Sequence, residues 1–150
     1  MKISRITLHL VNVPETPWWW SDEEYGQPGH QRDEHFVAEV ETDVGITGLT
    51  QIERMTAHEL VEETARGWLG VDVLAVNLAE NPSALAKSFE QAVLDLRGQA
   101  LGVPIWQLLG GCVRDRLPIT MCTGYKTPEH TGEQAAVGWD QGFRWYKMKC

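Results

Sequence analysis

The stretch LPITMCTGYKTPEHTGEQAAVGWDQGFRWYKMKC, residues 117–150, decides how the chain is interpreted. An apolar run of strand length is followed by a segment that can form a helix from Glu129 to about Asp140, and then by a second strand-like run, FRWYKMK. A strand, a helix and a strand in this order predict one βαβ unit with parallel strands and a right-handed crossover. Two parallel strands leave faces and edges uncovered. The pattern therefore predicts that the sequence is part of a longer protein.

Two lysines, Lys147 and Lys149, alternate in the second of these strands. Residues i and i+2 of a strand project to the same side, with attachment points ~7 Å apart. At an effective dielectric constant of ~20, two ammonium groups at that distance repel by roughly 2.4 kcal/mol, which would make one lysine usable as a base. The alternative is structural, because alternating lysines also line solvated sheet faces or protect edge strands from aggregation. The spacing alone leaves both interpretations open.

The N-terminal part of the sequence predicts a small antiparallel sheet. Residues 3–13 alternate apolar and polar side chains, and residues 36–42, FVAEVET, repeat that period. Asp43 and Gly45 then supply a turn, after which ITGLTQI returns as the hairpin partner. Three strands are expected, with one face of the sheet exposed to solvent and the other covered by the rest of the domain.

A long segment, PETPWWWSDEEYGQPGH, connects the first two predicted strands and carries Trp18, Trp19 and Trp20. Long loops in compact domains are often functional, so these indoles are predicted to line a ligand pocket or a partner surface. The alternative is that they fold back onto their own domain.

The first predicted helix follows the sheet. Thr56 and Glu59 have the T-x-x-E spacing of a capping box. Apolar residues then recur at helical spacing up to Gly70, which predicts a helix over residues 57–69. The positions expected to be buried are Leu60, Val61, Ala65, Trp68 and Leu69.

A longer helix is predicted from the start signal at Ser83 to Gly102, with one apolar stripe along its length. Gly98 inside this helix indicates close packing against a neighbouring backbone. The segment VPIWQLLGG then predicts a short helix that begins at Pro104 and stops at a glycine pair.

Composition argues against several classes of function. Acidic residues outnumber basic ones by 21 to 13, and the formal net charge of −8 opposes the phosphate backbone of a nucleic acid. No apolar run approaches the ~20 residues that cross a bilayer. The three cysteines are widely spaced and lack a C-x-x-C pair, which indicates reduced thiols and neither a disulfide framework nor a zinc site. We therefore expect a cytoplasmic protein that has no nucleic-acid or membrane partner.

Several segments together resemble the mandelate racemase and muconate lactonizing enzyme family of the enolase superfamily. They are VAEVETDVGITGL, AVLDLRGQALGVPIWQLLGG, RDRLPI and GFRWYKMKC, and they span nearly the whole chain. The most specific pieces are the D-L-x-G-x-A-L-G-x-P-x-x-x-L-L-G-G run that begins at Asp95 and the K-x-K of Lys147 and Lys149. Gln99 stands where such sequences commonly have lysine, a departure on a packing helix that should not affect chemistry.

The resemblance implies an α+β capping domain over residues 1–115, with a three-stranded antiparallel sheet and helices. Residues 116–150 would then begin a C-terminal (β/α)8 TIM-like barrel. A complete barrel of this kind needs ~250 residues, so only its first βαβ unit would be present and the barrel would be truncated.

The activity implied by the resemblance is removal of the proton α to a carboxylate by a Mg²⁺-dependent enzyme, through an enediolate. Enolase-superfamily enzymes use a lysine or histidine base together with Mg²⁺, and this assignment comes from the family and not from spacing. Lys149 would be the base, and Lys147 would assist it and bind the substrate carboxylate. The loop indoles of Trp18, Trp19 and Trp20 would contact the substrate. The Mg²⁺ ligands are expected beyond residue 150, with no metal site within this chain.

The leading expectation is an acid-sugar dehydratase, a carbon–oxygen hydro-lyase that acts on a small carboxylate. A racemase, epimerase or cycloisomerase of the same superfamily is the alternative. The full-length protein is expected to be a homo-oligomer, and the 150-residue segment alone is expected to be inactive. A hypothesis of another class is that the chain works alone as a non-catalytic, capping-like module that binds a ligand or a protein.

Overall fold

The computed structural model describes residues 1–13, 33–52, 56–80 and 83–149. The chain divides into two compact units, one made of Met1–Val13 with Glu34–Val113 and the other running on from Arg114. The predicted boundary after residue 115, between two domains of a longer protein, stays a prediction.

The first unit is built on a three-stranded antiparallel sheet in the order β1–β2–β3. The tight turn between β2 and β3 contains Gly45, whose φ of +82° suits glycine, and its N–H donates to the Thr42 carbonyl at 3.1 Å. Ala38 and Val40 are fully buried, as the alternating pattern of β2 predicts. The strands are β1 (Ile3–Val13), β2 (Asp33–Thr42) and β3 (Thr47–Gln51). The predicted sheet is therefore confirmed.

Helices of the first unit follow the sheet along the chain. Within the described ranges they are α1 (His58–Trp68), α2 (Ala84–Ser88), α3 (Glu90–Leu101) and α4 (Ile105–Leu108), with a 3₁₀ turn at Leu78–Glu80.

The helix α1 differs from its prediction at its start and in its buried face. Its N-cap is Ala57, which makes no side-chain capping hydrogen bond, so the predicted capping box is one residue out of place and wrong. Leu60 and Leu69 are about half exposed. The buried residues are Val61, Ala65 and Trp68. These three lie at i, i+4 and i+7, a narrower stripe than the predicted one.

The long helix predicted after Ser83 is two helices, α2 and α3. The Ser83 side chain accepts a hydrogen bond from the Ala86 N–H at 3.0 Å, which confirms the start signal. At the junction, the Phe89 N–H donates to the Ala86 carbonyl at 3.1 Å, a tighter i to i−3 turn. The Phe89 ring is only 1% exposed and stacks on Trp68 with ring centroids 5.7 Å apart. The interruption therefore coincides with a core anchor.

The core of the first unit lies between the sheet and helices α1 and α3. Its buried apolar residues are Ile3, Ala38, Val40, Ile52, Val61, Ala65, Trp68, Val73, Phe89, Ala92, Val93 and Leu96. Gly98 at the end of α3 is buried, and a Cβ built there would lie 2.8 Å from the Val103 carbonyl oxygen. This close approach confirms the packing role predicted for Gly98.

The second unit contains a parallel pair of strands joined by one helix. Its elements are β4 (Met121–Tyr125), α5 (Pro128–Asp140) and β5 (Tyr146–Lys149). Thr127 caps α5 by accepting a hydrogen bond from the His130 N–H at 3.2 Å. Both strands begin later than predicted, because their pairing starts where Met121 meets Tyr146. The order and the parallel direction confirm the predicted βαβ unit.

In the part of the chain that the structure describes, every helix is too short or too polar to cross a lipid bilayer.

Candidate functional site

One face of the β4–β5 pair lies against α5. A side chain at Gly138 of α5 would collide with the sulfur of Met121, so helix and strand touch at this point. Met121 pairs with Tyr146, and the Tyr146 hydroxyl lies 2.7 Å from Thr123 Oγ1, where Thr123 is only 3% exposed. The side chains of Met121, Thr123 and Tyr146 therefore form the helix-covered face of the pair.

The opposite face carries the two lysines. Cys122 pairs with Lys147 in the parallel register, and paired residues of neighbouring strands project to the same side. Lys147 and Lys149 are two residues apart in β5 and so share this face, which we call the lysine face. Both lysine side chains are exposed in this chain. Their roles as base and carboxylate contact stay predictions.

The register of β4 against β5 changes between Cys122 and Tyr125. Regular pairing would place Gly124 beside Lys149, but the partner of Lys149 is Tyr125. Tyr125 thereby joins the lysine face, a placement that the sequence analysis missed. The available signal was Gly124, since a glycine inside a strand often marks a bulge.

The other predicted site residues are Trp18, Trp19 and Trp20, and they lie outside the described residues. Among the described residues, no three His, Cys, Asp or Glu side chains are grouped so that they could hold a metal ion. These residues do not by themselves provide a Mg²⁺ site, and ligands beyond residue 150 stay a prediction.

A pocket of about 390 Å³ in the first unit lies between β1 and α1. Two of its side chains are arginines, and each already has an acidic partner: Arg5 pairs with Glu41, and Arg66 pairs with Glu62 at 2.8 Å. The pocket therefore offers no unpaired charge that would point to a ligand. Its lining is Ser4, Arg5, Ile6, Leu8, Glu62, Ala65, Arg66 and Leu69.

Comparison with known proteins relates the chain to enzymes of one superfamily, although no family model matches it. It is 26% identical over 169 aligned positions to an N-succinyl-L-Arg/Lys racemase from Bacillus cereus, an alignment that covers 99% of this chain and 44% of the racemase. It is 32% identical to a D-galactonate dehydratase from Xanthomonas oryzae pv. oryzae over 67% of this chain and 32% of the dehydratase.

Solved structures show the same relationship in three dimensions. A Silicibacter pomeroyi protein assigned to the mandelate racemase/muconate lactonizing enzymes superposes with a TM-score of 0.76 and 26% identity, over 100% of this chain and 44% of that one. A Roseovarius nubinhibens protein assigned to the same enzymes, solved in complex with magnesium, has a TM-score of 0.77 at 22% identity, over 100% of this chain and 44% of that one, and supports the fold.

The chain thus spans about 44% of the length of the racemase and of both solved structures. Its three-stranded sheet with helices, followed by a parallel βαβ unit, is the arrangement of their capping domain and of the start of their barrel. The chain belongs to the mandelate racemase/muconate lactonizing enzyme family of the enolase superfamily and corresponds to the N-terminal part of those enzymes.

Proposed function

We propose that the full-length protein removes the proton α to a carboxylate, with Lys149 as the base. The observation that carries this proposal is the position of Lys147 and Lys149 on one face of β5, away from α5. Active sites of (β/α)8 barrels lie at the carboxyl ends of the parallel strands, and Lys149 pairs with Tyr125, the last residue of β4. The lysine face would therefore be part of the substrate site.

The chemistry explains why two lysines would be needed at one place. An α-proton of a carboxylate is very weakly acidic, so a base alone is insufficient unless the developing negative charge is also stabilised. Lys147 would attract the substrate carboxylate to the lysine face. Lys149 would then accept the α-proton at its Nζ atom.

Mg²⁺ would act as a Lewis acid toward the substrate carboxylate when bound. The magnesium complex of the Roseovarius nubinhibens structure supports this part of the proposal, and the ligands are proposed to follow residue 150. Trp18, Trp19 and Trp20, which lie in the sequence between β1 and β2, are proposed to contact the substrate.

An acid-sugar dehydratase is the reaction that we propose first, and a racemase or epimerase is second. The D-galactonate dehydratase relative supports the former, and the N-succinyl-L-Arg/Lys racemase relative supports the latter. Both reactions begin with the same proton removal, so the base assignment is common to them.

The test measures exchange of the α-proton in D₂O by the full-length protein, because exchange reports proton removal whichever product follows. Wild type, Lys149→Ala and Lys87→Ala would be compared with sugar acids and with N-acyl amino acids. Loss of a general base typically lowers a rate by about 10²- to 10⁴-fold, and we expect this for Lys149→Ala. Lys87 is an exposed lysine on α2, so Lys87→Ala should exchange like wild type. Equal rates for Lys149→Ala and wild type would remove Lys149 as the base.

A further inference from the structure

The change of register in β4 brings a phenol to the position beside Lys149. Four residues of β4, from Cys122 to Tyr125, run alongside only three of β5, from Lys147 to Lys149. The extra residue on one strand is the mark of a β-bulge, which re-aims the side chains that follow it. Bulges are over-represented next to active sites and are retained as features of the fold.

Burial along β4 agrees with this irregularity. A regular strand with one covered face alternates buried and exposed residues, but Thr123 and Gly124 are both buried and Tyr125 is 44% exposed. Thr123 still points to the helix-covered face, because its hydroxyl lies 2.7 Å from that of Tyr146. The face reversal therefore falls between Thr123 and Tyr125.

Lateral neighbours in a parallel sheet are only about 4.8 Å apart, so the Tyr125 ring starts next to the stem of Lys149. Tyr125 is the last residue of β4, so its pair with Lys149 lies at the carboxyl end of that strand. Without the extra residue, Gly124 would take this place and would offer no side chain.

We infer that Tyr125 is a substrate contact that selects hydroxylated carboxylic acids, an inference that rests on the proposed function of Lys149. A phenol is neutral near pH 7 and can both donate and accept a hydrogen bond. Beside a base it can bind a substrate hydroxyl without adding charge that would compete with the carboxylate for the lysines. An acid that lacks that hydroxyl cannot form this hydrogen bond and gains nothing from the phenol.

The test is Tyr125→Phe in the full-length protein, with Tyr146→Phe as the matched control. Both changes remove one phenol oxygen, but Tyr146 lies on the helix-covered face and bonds to Thr123. α-Proton exchange would be measured for a polyhydroxy acid and for its deoxy analogue. We expect Tyr125→Phe to raise the KM for the hydroxy acid by about 10-fold. The KM for the deoxy analogue should change by less than about 2-fold. Tyr146→Phe should not alter the preference between the two acids.

An activity-independent measurement checks the register itself. In a background with the native cysteines replaced by serine, the pair Tyr125→Cys with Lys149→Cys should form a disulfide, because its Cα spacing suits one. The pair Gly124→Cys with Lys149→Cys should stay reduced. A disulfide in the second pair and not in the first would overturn the placement of Tyr125.

The outcomes separate this inference from the function on which it rests. If wild type exchanges α-protons and Tyr125→Phe keeps the preference for the hydroxy acid, the role of Tyr125 is overturned while Lys149 stands. If wild type exchanges no α-proton of any acid tested, the proposed function falls and the role of Tyr125 falls with it.

Discussion

At Gly48, a hydrogen atom in place of a side chain lets β3 lie directly on α3. A Cβ built at this position would come 2.8 Å from the Ala92 carbonyl oxygen and 2.8 Å from Leu96 Cγ. Backbone atoms cannot move aside as the end of a flexible side chain can, so the contact leaves no room for a methyl group. This single residue determines how closely the sheet and the helix pack.

We expect Gly48→Ala to destabilise the protein by about 1–3 kcal/mol, the usual cost of overpacking a core. The control is Gly67→Ala on α1, where a Cβ would meet nothing within 4 Å. Alanine favours helix over glycine by up to ~1 kcal/mol, so the control should be neutral or stabilising. Urea unfolding of both variants gives the comparison, and a neutral Gly48→Ala would contradict the packing.

At the level of elements, Arg97 ties α3 to the segment that follows α1. Its Nε donates to the Val73 carbonyl at 2.7 Å, and its Nη2 donates to the Val76 carbonyl at 2.5 Å. The guanidinium thus satisfies two carbonyls that belong to no regular strand. Lysine carries the same charge but cannot donate in this forked geometry.

We therefore expect Arg97→Lys to lower the free energy of unfolding by about 1–3 kcal/mol. Arg66→Lys is the matched control, because Arg66 is exposed and pairs with Glu62 only at i,i+4, where such pairs contribute about 0.3–0.5 kcal/mol. Hydrogen exchange of the amides between residues 71 and 77 should speed up in the first variant only. Unchanged exchange there would show that Arg97 does not hold this segment.

Element positions followed from periodicity, but element boundaries did not. The alternation in β1 and β2 and the 3.6-residue spacing in α1 and α3 were visible along the chain, and each element formed. The break at Phe89 was not visible, and Gly124 was the only sign of the bulge before Tyr125, because each depends on packing against a distant segment. The narrower face of α1 has the same origin, since the sheet covers only part of the helix.

At the scale of the whole molecule, the chain start is joined to a residue far along the sequence. The Met1 ammonium lies 3.5 Å from Asp72 Oδ1, and Asp72 also accepts a hydrogen bond from the Leu74 N–H at 3.0 Å. That backbone hydrogen bond, with the Met1 charge, lowers the pKa of the Asp72 carboxyl below its usual value of 3.8. A lowered pKa means that the native state holds the charged form more strongly than the unfolded state does.

The stabilisation from Asp72 should be complete above pH 3.8, the unfolded value, and should be lost as pH falls through the lower pKa of the native state. We expect Asp72→Asn to be less stable than wild type at neutral pH, with the difference shrinking in acid. Urea unfolding across this pH range measures it, with Glu63→Gln on the exposed side of α1 as the control. A difference that stays constant with pH would exclude a charge effect.

The sequence by itself determined the strands, the order of strands and helical segments, the family and the shared side of Lys147 and Lys149, because these depend on the backbone period within one segment and on short motifs. Only the tertiary structure decided that Tyr125, and not Gly124, lies beside Lys149. It also decided that α1 buries three positions of the five expected and that Arg97 holds a distant loop. The physical reason is that strand register and helix burial are set by pairing between segments far apart in the chain, which no local period encodes.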